Sequence, residues 1–398
     1  MNREDFPMLD QDIIYFDNGA TTFKPKCVID SIVDYYENYS ANAHRGDYDI
    51  SYKVDVKYEN VREKVRNFIN AKDKEEIIFT SGTTMSLNLI AQSFFSKYLE
   101  PGDEVLITKT EHASNVLPWF YLANKIGIKI NYVELDKDYH VTINNVINAI
   151  TPKTKVISLA YITNVIGDKR PIKEITKYAH DNNIFVVVDA AQAAAHTKID
   201  VRDLDIDFLA FSAHKMYGPT GVGVLYGKKE LLDEADPYIL GGGMNESFDN
   251  ENEVILKSLP YKFEAGTQNI AGVIGLGEAI DYINKIGIDI INFHEEKLRK
   301  YLIDKLEKIS FIDIINYEAE SAIVSFNVEG IFSQDIAYYL NKYNICVRAG
   351  NHCAKLVKNV TGVTNSVRIS LSIYNTEEEI DEVVNLLSDL EKIKREMI

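Results

Sequence analysis

Seven short and nearly unbroken apolar runs, at residues 77–80, 104–108, 129–135, 155–163, 184–189, 208–212 and 221–226, constrain this chain more than any other feature. A strand with one wet face alternates apolar and polar residues, whereas these runs are almost continuous in Val, Ile, Leu and aromatics. That pattern suits strands covered on both faces, as in a largely parallel sheet between layers of helix. Helical stretches lie between the runs. In one of them, at 172–182, Ile172, Ile175, Thr176 and Ala179 fall on one face. The expected fold class is α/β, with a mostly parallel sheet of seven strands.

After Gly241-Gly242-Gly243 the rhythm changes. A polar stretch at 244–253 precedes a long helical segment that starts near Gly272 and runs through 278–283 and 293–306. Strands are expected near 322–327, 345–348 and 366–371, and a closing helix at 377–394. This part reads as a smaller α+β domain.

The 398 residues include 60 acidic and 43 basic side chains, a formal charge of −17. Such a balance argues against nucleic-acid or anionic-membrane binding, though backbone amides and a few cations can still hold one phosphate. The start of the chain shows no apolar leader, and the most apolar stretch, 184–195, is short and interrupted by Asp189. A protein of the cytoplasm with no membrane segment is expected. Only three cysteines occur, with no C-x-x-C pair, which disfavours a disulfide framework or a thiolate metal site. Cys27 and Cys346 sit in helical and strand patterns and read as small buried hydrophobes. Cys353 differs, because Arg348, Gly350 and His352 flank it in a loop-like stretch of the kind that favours thiolate.

Three segments after strands carry residue types that chemistry needs. The first, Phe211-Ser212-Ala213-His214-Lys215-Met216-Tyr217-Gly218-Pro219, sets a lysine behind a Ser-x-His pair. A Schiff-base lysine needs a positioned amine near phosphate-binding groups, in a crevice at the strand ends. A surface lysine is the plainer alternative. The second, Val186-Val187-Val188-Asp189-Ala190-Ala191-Gln192, ends an apolar strand on a carboxylate. It either caps a following helix or keeps a cofactor's pyridine nitrogen protonated, with Gln192 near the ring oxygen. The third, Thr80-Ser81-Gly82-Thr83-Thr84, leads into a helix at 85–95 and suits either a phosphate or a simple capping turn. It lacks the lysine of a P-loop.

With these segments in this order, the chain resembles the class V aminotransferase family of fold-type I enzymes that use pyridoxal 5′-phosphate (PLP). Within that family it resembles the group II, SufS-type cysteine desulfurases and selenocysteine lyases. The resemblance runs through Tyr15 to Thr22, His44-Arg45-Gly46, Glu111-His112, Pro118-Trp119, Thr163-Asn164, the Asp189 and Lys215 segments, Phe263 to Thr267, Arg348 to Ala354 and Arg368 to Thr376. It implies an N-terminal segment 1–16 packing with the small domain, a large PLP-binding domain 17–271 and a small domain 272–398.

It further implies that Lys215 carries the cofactor, His112 stacks on the ring, Asp189 pairs with the ring nitrogen and Gln192 with the ring hydroxyl. Thr83, Thr84, Ser212 and His214 would hold the phosphate, joined by Thr267 from the other subunit of a homodimer. Arg368, with Asn164 and Arg348, would take the substrate carboxylate. Cys353 falls on the residue that accepts sulfur, so the expected reaction converts L-cysteine to L-alanine and leaves a persulfide. A SufU- or SufE-like protein would collect that sulfur for iron–sulfur cluster assembly. Selenocysteine lyase, another PLP activity of the family, or a silent homologue serving as an assembly partner are the alternatives. The chain departs from the usual pattern at Asn351, Gln268 and Lys355-Leu356, beside the acceptor loop and the intersubunit phosphate contact.

Overall fold

The structure is a computed structural model that describes residues 3–44 and 46–397. Arg45, part of the family match above, lies outside the described residues.

All seven apolar runs form strands of one sheet. They are β1 (Ile77–Thr80), β2 (Glu104–Thr108), β3 (Lys129–Val133), β4 (Thr154–Ala160), β5 (Phe185–Asp189), β6 (Phe208–Ser212) and β7 (Gly223–Gly227). Their order is β1-β7-β6-β5-β4-β2-β3. Only the pairs that involve β7 are antiparallel, so six strands run one way and end on one edge.

The continuous apolar sequence follows from two cores, one on each face. Val186 and Val188 enter the larger core, together with Leu106, Ile157 and the helices Ile172–Asp181 and Ile270–Ile286. Val187, between them, enters the other, with Val105, Val156 and Trp119 from the helix Leu117–Ile126. A strand whose alternate residues both meet apolar layers has no position for a polar side chain. Each fully buried Val, Ile or Leu contributes about 1.5–3 kcal/mol by area.

The C-terminal part builds a four-stranded antiparallel sheet from β8 (Ile312–Ile314), β9 (Ile323–Val328), β10 (Arg348–Gly350) and β11 (Ser366–Ser370), in the order β8-β9-β11-β10. Helices Ile288–Leu306, Ser333–Asn341 and Glu377–Leu387 share a third core with it. Phe16 belongs to that core, and Ile14–Tyr15 pairs in parallel with Ile345–Cys346.

Several expectations need correction. The long helical segment is two helices, broken at Gly287, whose φ of 96° suits glycine. The closing helix is likewise two pieces, Glu377–Leu387 and Leu390–Met397. The polar stretch after Gly243 forms a hairpin, Asn245–Phe248 with Val254–Leu256, whose residues are largely exposed and therefore carry no burial pattern. Cys27 is exposed and Cys346 half-buried, so neither is the buried hydrophobe expected. No helix of the described residues is long and apolar enough to cross a membrane.

Candidate active site

The common edge of the sheet gathers the chemistry. Loops after β1, β2, β4, β5 and β6 bring Thr83, His112, Asn164, Asp189, Ser212, His214 and Lys215 to one cavity of about 190 Å³. Thr84, Gln192, Arg348 and Arg368 also line it. Of the expected residues, two stand apart. Thr267 lies near Asn42, whose Nδ2 donates to its Oγ1 at 3.4 Å, and Cys353 is exposed beside the cavity rather than lining it.

Thr83 opens the helix Thr83–Ile90. Its backbone N–H donates to Ser212 Oγ at 2.8 Å, and the two hydroxyls lie 2.7 Å apart. This closeness rests on two glycines. A Cβ on Gly223 would sit 2.4 Å from Gly82 Cα, so β7 and the turn before Thr83 touch backbone to backbone. Thr84 Oγ1 lies 2.6 Å from Ser114 Oγ, which joins this turn to the His112 loop.

Asp189 is not a helix cap, because the chain continues in turns; its Oδ1 accepts from Ala191 N–H at 2.9 Å. Burial pushes its carboxyl up to about 6, against the pull of that N–H and of Lys215. Burial likewise lowers the Lys215 amine to about 8, with Asp189 opposing and Arg368 and Arg348 assisting. Lys215 is therefore no ordinary surface lysine. Gln192 Nε2 is held by Gly19 O at 2.8 Å.

His112 is lowered to about 4 by burial and by the cations Lys215, Arg348 and Arg368. Its Nδ1 accepts from Ser114 N–H at 3.1 Å, so the neutral ring carries its proton on Nε2. The loop before it is anchored by Glu111. One carboxylate oxygen accepts from Asn115 Nδ2 and Ala160 N–H at 2.8 Å each, and the other pairs with the fully buried Arg170. His214 is lowered to about 4 by burial, Lys215 and Lys24.

Arg368, 1% exposed on β11, donates from Nη1 to Asn164 O and from Nη2 to Asp17 Oδ1, each at 2.9 Å. Its Nε has no partner, nor has Asn164 Oδ1. The acceptor loop is fastened at two points. Asn164 Nδ2 donates to His352 O at 2.7 Å, and Ala113 N–H to Cys353 O at 2.8 Å. Both His352 and Cys353 adopt positive φ, 50° and 60°, which turns the loop sharply.

Asp17, Gly19, Ser114 and the ring of His352 were not singled out from the sequence as site residues. All but Asp17 line the cavity, and Asp17 holds Arg368. Among the described residues no cluster of His, Cys, Asp or Glu could hold a metal ion.

A sheet edge with a buried lysine, a buried carboxylate and hydroxyls at a helix start defines an enzyme class. The chain belongs to the aminotransferase class-V family, whose model matches residues 14–383. Among its relatives, a probable cysteine desulfurase from Halalkalibacterium halodurans is 43% identical over 98% of this chain and 96% of its own length. A cysteine desulfurase from Haloferax volcanii is 37% identical over 97% of this chain and 95% of its own. The solved structure of a cysteine desulfurase from Thermococcus onnurineus NA1 superposes with a TM-score of 0.94 at 38% identity, over 99% of this chain and 97% of that one.

The cofactor of this family is PLP, and the cavity fits it. The Thr83 and Ser212 hydroxyls suit its phosphate, the buried Asp189 its ring nitrogen, and the Lys215 amine, lowered toward neutrality, its aldehyde.

Proposed function

We propose that this chain is a PLP-dependent cysteine desulfurase of the SufS type, converting L-cysteine to L-alanine and retaining the sulfur as a persulfide on Cys353. The observation that carries this reading is the double fastening of the Cys353 loop, to Asn164 and to the His112 turn, over a cavity that holds Lys215.

When bound, the cofactor supplies an electron sink for the substrate's Cα–H and Cβ–S bonds. Lys215 would hold it covalently. Released by substrate, the same amine would take the Cα proton, and a value of about 8 leaves a useful free-base fraction near neutrality. Asp189 and Gln192 would meet the ring nitrogen and ring oxygen. Thr83, Thr84, Ser212 and His214 would hold the phosphate, with Thr267 of the partner subunit. Arg368 supports the α-carboxylate through its planar fork, with Asn164 and Arg348 beside it. His112 would cover the ring face and pass a proton through Nε2.

The Cys353 thiolate then attacks the substrate sulfur. The new S–S bond forms as the C–S bond breaks, and the electron pair of that bond stays with the carbon that becomes alanine. An exposed thiol suits collection of the sulfur by a partner thiol, of SufU or SufE kind, for cluster assembly. The homodimer is supported by exposed apolar residues at Tyr238, Ile239 and Leu240 and on the hairpin at Phe248, Val254 and Ile255.

The test is incubation with L-cysteine and a reductant. Alanine and sulfide are expected in equal amounts, and Cys353→Ser should abolish both while keeping the cofactor's visible band. Pyruvate in place of alanine would mean β-elimination and would remove the role given to Cys353.

A further inference from the structure

His352 has two ring nitrogens in different situations. Nε2 lies 3.1 Å from Ser366 O and 3.0 Å from Ser366 Oγ. A carbonyl oxygen only accepts, so Nε2 carries the ring proton. Nδ1 is then a bare acceptor. It is buried and has no partner, and the adjacent exposed thiol of Cys353 does not reach it. The residue is 4% exposed and lines the same cavity as Lys215, Arg348 and Arg368. Burial, with Arg368 and Arg348 nearby, lowers the ring to about 3, so it stays neutral at physiological pH.

A buried acceptor without a donor is expensive unless a ligand completes it. On the desulfurase reading, the groups of L-cysteine can be taken in turn. Its carboxylate offers only lone pairs, which Nδ1 would repel. Its amine is taken up by the cofactor. The one remaining donor is the side-chain S–H.

We infer that His352 is a specificity-determining residue whose Nδ1 accepts a hydrogen bond from the thiol of the substrate. This acceptor distinguishes substrate from product, because alanine has no donor at that position. It also keeps the substrate sulfur protonated and neutral, since a lone pair facing it disfavours thiolate. A neutral sulfur is the better target for an attacking thiolate. His352 does not itself remove the proton, being far too weak a base.

The test uses the Cys353→Ser holoenzyme, in which sulfur cannot leave, and titrates its visible absorbance with L-cysteine and with L-alanine. Adding His352→Gln, which can keep the contact to Ser366 but removes Nδ1, should weaken L-cysteine binding by about fivefold. L-Alanine affinity should stay within about twofold. His352→Asn, whose short amide reaches the Nδ1 position, should recover part of the cysteine preference. Equal weakening for both amino acids, or no change for either, overturns the inference. A Cys353→Ser parent that binds alanine and not cysteine overturns the desulfurase reading, and this inference with it.

Discussion

At the scale of single residues, the site is built from groups held against their ordinary ionisation. Asp189 is 4% exposed at the end of a triple-valine strand and reaches about 6 instead of the usual 3.8. An aspartate raised in this way favours the folded state only while protonated. That stability is lost as pH rises from 3.8 to about 6 and is absent at neutral pH. Lys215 acts in the opposite sense: its burial penalty is complete below about 8 and relieved between there and 10.5. Asp189→Asn should therefore stabilise the apoprotein at pH 7.5, by on the order of 1–3 kcal/mol, while weakening cofactor retention. Calorimetry of the cofactor-free protein, set beside the visible absorbance of the holoenzyme, checks both halves. An unchanged apoprotein would show that Asp189 carries no such burden.

At the scale of elements, the Glu111–Arg170 pair is the strut of the His112 loop. Both side chains are fully buried, and Arg170 Nη2 also donates to Thr108 Oγ1 and Thr110 Oγ1 at 2.8 Å each. Removing one member leaves a buried charge alone, so Arg170→Met should cost about 3–5 kcal/mol in urea denaturation. The double variant Glu111→Met/Arg170→Met should lose less than the two single changes summed. Gly223→Ala should be worse for cofactor binding than for folding, since its Cβ would drive the Thr83 turn away from Ser212.

The elements also explain what could be read in advance. The seven strands were legible because each is buried on both faces, and Lys215, Asp189 and Thr83 because each directly follows one of them. The hairpin at Asn245–Phe248 was not, its side chains being mostly exposed. Nor was the π-helical turn Ala91–Phe95, whose extra residue leaves the apolar content of the helix unchanged. His352 escaped notice as a site residue for another reason. Its meaning lies in a contact to Ser366 and a vacant nitrogen, and neither has a local signature.

At the scale of the molecule, the cavity draws on the whole length of the chain, from Gly19 to Arg368. Thr267 is the expected residue that a single copy leaves well away from it. If a second copy supplies it, inactive Lys215→Ala and Thr267→Ala proteins should complement when mixed under exchange. Each mixed dimer then has one intact site, and about a quarter of wild-type activity should return after random reassortment. Absence of recovery, with subunit exchange verified, would assign the phosphate contact to one chain.

The exposure of Cys353 has a kinetic meaning. A thiol facing solvent, on a loop tied down on both sides, can be discharged by anything nucleophilic that finds it, without the cavity reopening. If Cys353 carries the sulfur, turnover is then not a constant of this polypeptide. It varies with the concentration and character of the nucleophile around it, rising until regeneration of the thiol ceases to be slow.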